Sequence, residues 1–341
     1  VGLNLNLNYK WYLKDLPKNI NGPKVFSTFS CGGGSTMGYK LAGCNVLGNV
    51  EIDPKIMAVY RKNHNLKYSF LESIVDFNKR SDIPEELFDL DILDGSPPCS
   101  SFSTAGAREK LWGKKKKFRE GQANQVLDDL FFHYIETLSI LKPKYFIAEN
   151  VTGILQGNAK GYVKEIVKQI TSLGYSCQIF QLNAAKMGVP QKRERVFFIG
   201  TREKKPRLKM SFNQESIYMR EIFDDQDINH DGKGLTNNIL KYWKICKPGN
   251  CFRSVHPKKH LFNSKKLAYN KICLTIDASS GSRLAHPEFP RVLSKDELKL
   301  CSSFPLDFNF LDQKVKYICG MSVPPLMTAN IVKEMRKQWE F

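Results

Sequence analysis

Apolar runs of strand length alternate with stretches of helical periodicity over most of the first 200 residues. Val25-Phe26-Ser27-Thr28-Phe29 reads as a strand, followed by Cys31-Gly32-Gly33-Gly34 and a helical stretch from Thr36 to Ala42. Asn45 to Val50, Phe88 to Leu93, Tyr145 to Ala148, Ser176 to Leu182 and Val196 to Ile199 read as further strands. Val126, Leu130, Tyr134, Leu138 and Leu141 recur at helical spacing before Pro143, and Val163, Ile166, Ile170 and Leu173 mark a second amphipathic helix. This alternation predicts an α/β fold. After about Thr201 the chain turns polar, basic and rich in turns, without clear βα alternation, until a helical stretch from Arg291 to Pro305 and a last helix from Leu326 to about Trp339. The pattern divides into a polar arm over 1–23, an α/β domain over 24–200 and 306–341, and a smaller irregular domain over 201–305.

The turns between these elements carry the chemistry. A glycine-rich turn from a first strand into a helix lets backbone approach a ligand closely and take up positive φ. Glu51, with Ile52 and Asp53, closes the second strand, where such folds bind ribose hydroxyls. Together they point to an adenosine cofactor, with a nicotinamide dinucleotide as good a fit as any other. Asp94-Gly95-Ser96-Pro97-Pro98-Cys99 ends the third apolar run on a stiff turn, at the carboxyl end of the sheet where open α/β folds place their ligands. A thiol there is also what a buried core cysteine looks like. Glu149-Asn150-Val151 ends another strand, and Gln191, Arg193 and Arg195 alternate onto one face as the chain enters Val196 to Ile199.

Charge narrows the partner. The formal net charge is +18, which favours a polyanion, nucleic acid before a membrane surface. Arg108, Lys110, Lys114, Lys115, Lys116, Lys117 and Arg119 cluster around Trp112 and Phe118 in a weakly periodic segment from Ala105 to Gln122. This reads as a solvated loop or as one that closes over phosphates. Nine scattered cysteines without paired spacing, and a start without a basic-then-apolar leader, predict reduced thiols and a cytoplasmic address. No stretch approaches the roughly 20 apolar residues of a membrane span. Cys246, Cys251, His256 and His260 invite a zinc site, but the two pairs stand far closer than in finger-type sites, and no metal is expected.

With these pieces in order, the chain resembles the cytosine-5 DNA methyltransferases over nearly everything except the first two dozen residues and the small domain. Phe29, Ser30, Gly33 and Gly34 look like that family's S-adenosylmethionine loop. Glu51 and Ile52 look like its ribose-binding acid and neighbour, and Pro97-Pro98-Cys99 like its nucleophile motif. Glu149-Asn150-Val151 and Gln191-Lys192-Arg193-Glu194-Arg195 match two further motifs, Thr275 a residue at the end of the recognition domain, and Gly320 to Pro325, with Val323, the closing motif. The resemblance implies a Rossmann-like methyltransferase domain with a mixed, mostly parallel sheet and a smaller target-recognition domain. It implies Cys99, Glu149, Arg193 and Arg195 as catalytic residues. Phe29, Ser30, Gly33, Gly34, Glu51, Ile52, Pro97 and Val323 would hold S-adenosylmethionine, leaving S-adenosylhomocysteine as product. Ser101, Ser103, Lys114 to Lys117, Asn150, Gln191 and Thr275 would face double-stranded DNA. A nucleoid-associated monomer is expected, with room for a cognate restriction endonuclease acting on the same site.

Three positions depart from the pattern: Cys31 stands for a glycine, Ser73 (beside Glu72) for an acid that touches adenine, and Met321 for an asparagine. Two alternatives stay open. One is a tRNA cytosine-5 methyltransferase of the same fold, whose Cys-Phe-Thr is partly matched by Cys251-Phe252-Arg253. The other is a catalytically silent DNA-binding homologue.

Overall fold

The computed structural model describes residues 8–17, 21–98, 115–116, 125–126, 129–157, 159–261, 263–279 and 283–341. Its centre is one sheet. β1 (Lys24–Thr28), β2 (Asn45–Glu51), β3 (Tyr68–Leu71) and β4 (Ile92–Gly95) run parallel. A two-residue ladder of β5 (Lys115–Lys116) and β6 (Gln125–Val126) stands apart from the sheet. β7 (Tyr145–Val151) continues the parallel set beside β4, and β9 (Glu194–Thr201) then inserts antiparallel between β7 and β8 (Ser176–Asn183). The resulting order is β3-β2-β1-β4-β7-β9-β8. β10 (Ser264–Lys266) and β11 (Arg283–Ala285) form a separate pair.

Both faces of the sheet are covered, as parallel strands require. α1 (Gly34–Leu41) begins directly from the glycine turn, and α2 (Pro54–Asn63) starts on Asp53, whose carboxylate accepts the N–H of Lys55 at 2.9 Å. α3 (Ile74–Phe77), α4 (Leu130–Leu141) and α5 (Ala159–Ser172) pack one face through Phe77, Phe131, Tyr134, Leu138 and Ile166. Tyr39 and Leu41 of α1 share the other face with Met327, Ile331 and Trp339 of the final helix. The third expected strand starts later than its apolar run. Asp89 and Asp91 interrupt it, and Phe88 ends a 3₁₀ turn at 49 % exposure.

The chain after β9 first runs back along the sheet: the Trp339 indole donates to Pro206 O at 2.8 Å, and Gln214 N donates to Lys186 O at 3.2 Å. It then leaves as an excursion containing α6 (Met219–Phe223) and α7 (Asn237–Ile245). The neck of this excursion is closed by two backbone bonds, Met219 N to Lys271 O and Arg220 N to Tyr269 O, both 2.9 Å. α8 (Lys295–Cys301), α9 (Val315–Met321) and α10 (Pro325–Trp339) complete the chain. One apolar cluster joins Met37 of α1 and Val59 of α2 to Met219, Ile276, Leu300 and Ile318, so the excursion is rooted in the same core as α1 and α2. The described part of the N-terminal arm is packed, with Trp11 donating to Ser303 O at 2.9 Å. Among the described residues no helix is long and apolar enough to cross a membrane.

Candidate active site

The carboxyl ends of the parallel strands β1, β2, β4 and β7 lie along one edge of the sheet. After β1 the backbone enters the left-handed region three times, at Phe29 (φ 52), Cys31 (φ 48) and Gly33 (φ 84), and two of these residues carry a Cβ. Such a turn persists only if its surroundings hold it. Cys31 N donates to Glu51 Oε2 at 2.9 Å, Gly33 N to Ser30 O at 2.9 Å, and Asn49 Nδ2 to Ser30 Oγ at 2.9 Å. A Cβ at Gly34 would lie 2.2 Å from Val323 O, so this glycine allows the closing motif to seat against the turn.

Glu51 is buried at the end of β2. Its second oxygen accepts Asp53 N at 2.9 Å, and burial pushes its carboxyl pKa up. Each oxygen takes one N–H and keeps acceptor capacity, which fits a pair of ribose hydroxyls. Cys31 is a protonated thiol, its pKa raised by burial to about 12. Just past β3, Ser73 caps α3 by accepting Asp76 N at 3.1 Å and donates its hydroxyl to Asp76 Oδ2 at 2.6 Å, and Glu72 pairs with Arg80 at 3.2 Å. Neither position therefore offers an unengaged carboxylate.

Asp94 organises the next turn, a role the sequence motif conceals. It is buried beneath the glycine loop and accepts Ser27 Oγ at 2.6 Å, Ser35 Oγ at 2.7 Å and Tyr39 OH at 3.0 Å. Burial raises its pKa to about 6. The detectable signal was an acid inside an apolar strand, facing a serine of the neighbouring strand. Asp94 thereby fixes the start of Gly95 to Pro98, and Asn150 Nδ2 fixes its end by donating to Pro97 O at 3.2 Å.

Glu149 on β7 and Arg195 on β9 form an ion pair, Nε to Oε1 at 3.0 Å, with both side chains largely buried. Burial pulls the Arg195 pKa down, against the attraction of Glu149. The two line a cavity of about 890 Å³ together with Ser96, Pro97, Pro98, Asn150, Thr275 and Met321. A planar polar ring entering this cavity meets a carboxyl and a guanidinium side by side. Cys99, one residue beyond the cavity wall, lies outside the described residues, as do Ser101, Ser103, Lys114 and Lys117, and Lys115 and Lys116 are described in backbone only.

Three expected site residues have other tasks. Gln191 is fully buried, donating to Cys301 O at 3.0 Å and accepting Ile276 N at 3.1 Å, so it cannot reach DNA. Arg193 is also buried and donates to Ile276 O, Gly320 O and Ser322 O, each at 2.9 Å. Burial, then the Arg195 charge, lowers its pKa to about 9, so it stays charged at neutral pH while clamping backbone rather than touching a reacting base. Asn150, though it borders the cavity, is buried with its amide engaged by Pro97 O and Val151 N. Burial decides all three, because a polar group cut off from water must bond protein atoms. Thr275 does line the cavity, its hydroxyl donating to Lys192 O at 2.7 Å. In the excursion, Phe252 is fully buried in a small apolar cluster and Cys251 Sγ lies 3.4 Å from Leu261 O, a packing role for the Cys-Phe pair. Among the described residues no three His, Cys, Asp or Glu side chains converge as a metal site.

The sequence model of the C-5 cytosine-specific DNA methylases matches residues 23–337. Type II methyltransferase M.NgoPII of Neisseria gonorrhoeae is 28% identical over 362 residues, covering 95% of this chain and 98% of that protein. Type II methyltransferase M1.HphI of Haemophilus parahaemolyticus is 28% identical over 335 residues, covering 91% and 85%. Among solved structures, a prophage-encoded protein of E. coli superposes with a TM-score of 0.71 at 20% identity, covering 93% of this chain and 99% of that one. Spodoptera frugiperda DNMT2 gives 0.64 at 15%, covering 92% and 99%; both share the fold. The glycine turn, Glu51, the Pro97-Pro98 turn and Glu149 follow or end parallel strands at one edge of the sheet within the matched span, and the chain belongs to the C-5 cytosine-specific DNA methylases, enzymes whose methyl donor is S-adenosylmethionine.

Proposed function

We propose that this chain methylates carbon 5 of a cytosine turned out of double-stranded DNA, at a short specific site, through a transient bond from Cys99 to carbon 6. The observation that carries the reading is the Glu149–Arg195 pair at 3.0 Å on the wall of the cavity that the Pro97-Pro98 turn borders. Carbon 5 of cytosine is a weak nucleophile until an electron pair enters the ring. The Cys99 thiolate supplies that pair at carbon 6, and the ring's charge moves to N3 and O2. As the base enters, the Arg195 guanidinium turns from the Glu149 carboxylate to O2 and Glu149 takes up a proton from solvent, which it donates in a hydrogen bond to N3, so the ion pair of the free protein is exchanged for two contacts to the base. S-adenosylmethionine, when bound against the glycine turn and Glu51, supplies the methyl group that carbon 5 takes up. A water then takes the carbon-5 proton, the freed electron pair restores the 5,6 double bond, and the Cys99 sulfur leaves as a thiolate.

Four other cysteines are poorly suited to the attack. Burial holds the thiols of Cys31, Cys44, Cys177 and Cys319 at about 12, far above where a thiolate forms at neutral pH. Extrusion of the base costs a few kcal/mol, and the lysine-rich segment around Lys114 to Lys117 is assigned to holding the opened duplex. The region 201–305 is assigned to target recognition. The names of the Type II relatives suggest a restriction-modification setting with an endonuclease of the same specificity.

A duplex carrying 5-fluorocytosine at the target tests this directly, because fluorine cannot leave as a cation and the adduct is trapped. A denaturation-stable protein–DNA adduct is expected only with S-adenosylmethionine present, mapped to the Cys99 peptide and absent in Cys99→Ser. An adduct on another cysteine, or full methylation by Cys99→Ser, overturns the assignment.

A further inference from the structure

Between Asp231 and Asp277 the chain carries ten lysines and arginines and not one acid. More than half of the net charge of +18 therefore sits in this single stretch, on the excursion beyond β9. Within it three rings form a ladder. Tyr242 of α7 lies 4.7 Å from His256, and His256 lies 5.2 Å from His260 with the two imidazoles nearly parallel, 4° apart. Lys241 Nζ stands 5.0 Å from the Tyr242 ring. The loop that carries the imidazoles is held in an uncommon shape, with Lys259 (φ 53) and Leu261 (φ 60) both left-handed. His260 precedes by three residues Asn263, which lines the catalytic cavity together with Lys265. The His260 end of the ladder thus lies within about 10 Å of chain from the cavity wall.

The hydrogen bonding of His256 fixes what it presents. Lys258 N donates to His256 Nδ1 at 3.2 Å, so in the neutral ring the proton is on Nε2. Desolvation, His260, Lys241 and Lys258 lower the His256 pKa and favour that neutral form. Nε2–H and the ammonium groups of Lys258 and Lys259 are all donors. The major-groove edge that offers two adjacent acceptors is that of guanine, N7 and O6.

Resting on the proposed methylation of duplex DNA, we propose that the His256–His260 ladder with Lys258 is a specificity-determining element, reading the N7/O6 edge of a guanine beside the target cytosine. The lysines of the same stretch supply phosphate contacts, whereas the imidazoles, stacked on each other with His256 bonded to its own loop, are oriented enough to tell one base pair from another.

The test is methylation of a duplex library randomised around cytosine, read by bisulfite sequencing, for the wild type, His256→Ala and His260→Ala. The expected result is a guanine required at one position by the wild type, with that preference falling by about tenfold or more in the variants, while the rest of the site and S-adenosylmethionine affinity stay unchanged. A second measurement does not depend on the variants folding: 7-deazaguanine at that position, which lacks the N7 acceptor, should slow the wild type about as much as a wrong base. Unaltered base preference in both variants, or indifference to 7-deazaguanine, overturns the proposal. So does a uniform loss across all sequences with a shallower salt dependence, the signature of phosphate contact alone. In these outcomes the wild type still methylates duplex cytosine; a wild type that methylates no duplex overturns the underlying reading as well.

Discussion

Glu149 and Arg195 meet across two antiparallel strands without being register partners. Glu149 pairs with Phe197 and Arg195 with Val151, and the ion pair at 3.0 Å runs diagonally between them. Diagonal neighbours in such a ladder are about 7–8 Å apart at their backbones, a gap that these two long side chains span. The strand that breaks the parallel order of the sheet therefore supplies half of the pair.

Because the two groups act on one ring, their loss should not be additive. Glu149→Gln and Arg195→Ala are each expected to lower kcat by about 10²–10³-fold, and the double variant by little more than the worse single one. Single-turnover methylation with saturating S-adenosylmethionine measures this. Multiplying effects would show that the two residues work independently.

Arg193 should behave as a clamp. Arg193→Met leaves three buried carbonyls, those of Ile276, Gly320 and Ser322, without their donors. A stability loss of at least about 3 kcal/mol is expected, read from the denaturant midpoint, with activity per folded molecule reduced far less than in Arg195→Ala. An unchanged midpoint would mean that those carbonyls find other partners.

Cofactor affinity should depend on Glu51 beyond its direct contacts, since its carboxylate also holds Cys31 N and Asp53 N. Glu51→Ala is expected to weaken S-adenosylmethionine binding by about 1–3 kcal/mol, with DNA affinity little changed. Calorimetry reads both. Equal cofactor affinity in the variant would remove Glu51 from the binding site.

Asp94 sets a pH dependence of stability. Its pKa rises from 3.8 to about 6 on folding, so the folded state holds the extra proton between those values. Its contribution is fully present below about pH 4, declines as the pH rises through 6, and remains lost above, a swing on the order of 3 kcal/mol. The difference in unfolding free energy between wild type and Asp94→Asn, followed from about pH 4 to pH 8, should fall in the wild type by that order. Parallel curves would place the proton elsewhere.

Much of this was legible in the chain because short, apolar strands and glycine or proline turns are local events. The turn at Gly33 and Gly34, Glu51 at its strand end, and Glu149 and Arg195 all lie where periodicity and turn chemistry put them. What was hidden is long-range burial. Arg193 and Gln191 share the alternation of Arg195, but their partners lie between 83 and 129 residues further along the chain, and local pattern carries no trace of that. Asp94 looked like part of a motif, whereas the three hydroxyls around it come from β1 and α1.

The neck formed by Met219–Lys271 and Arg220–Tyr269 has an evolutionary consequence. Once the two ends of an excursion are tied, the entropy of closing it grows only with the logarithm of its length, about 0.6 kcal/mol per doubling. Changes in the length of exposed turns beyond the neck are therefore nearly neutral for folding. Descendants of this chain can drift in the size and content of that region while Glu149, Arg195 and the glycine turn keep their places.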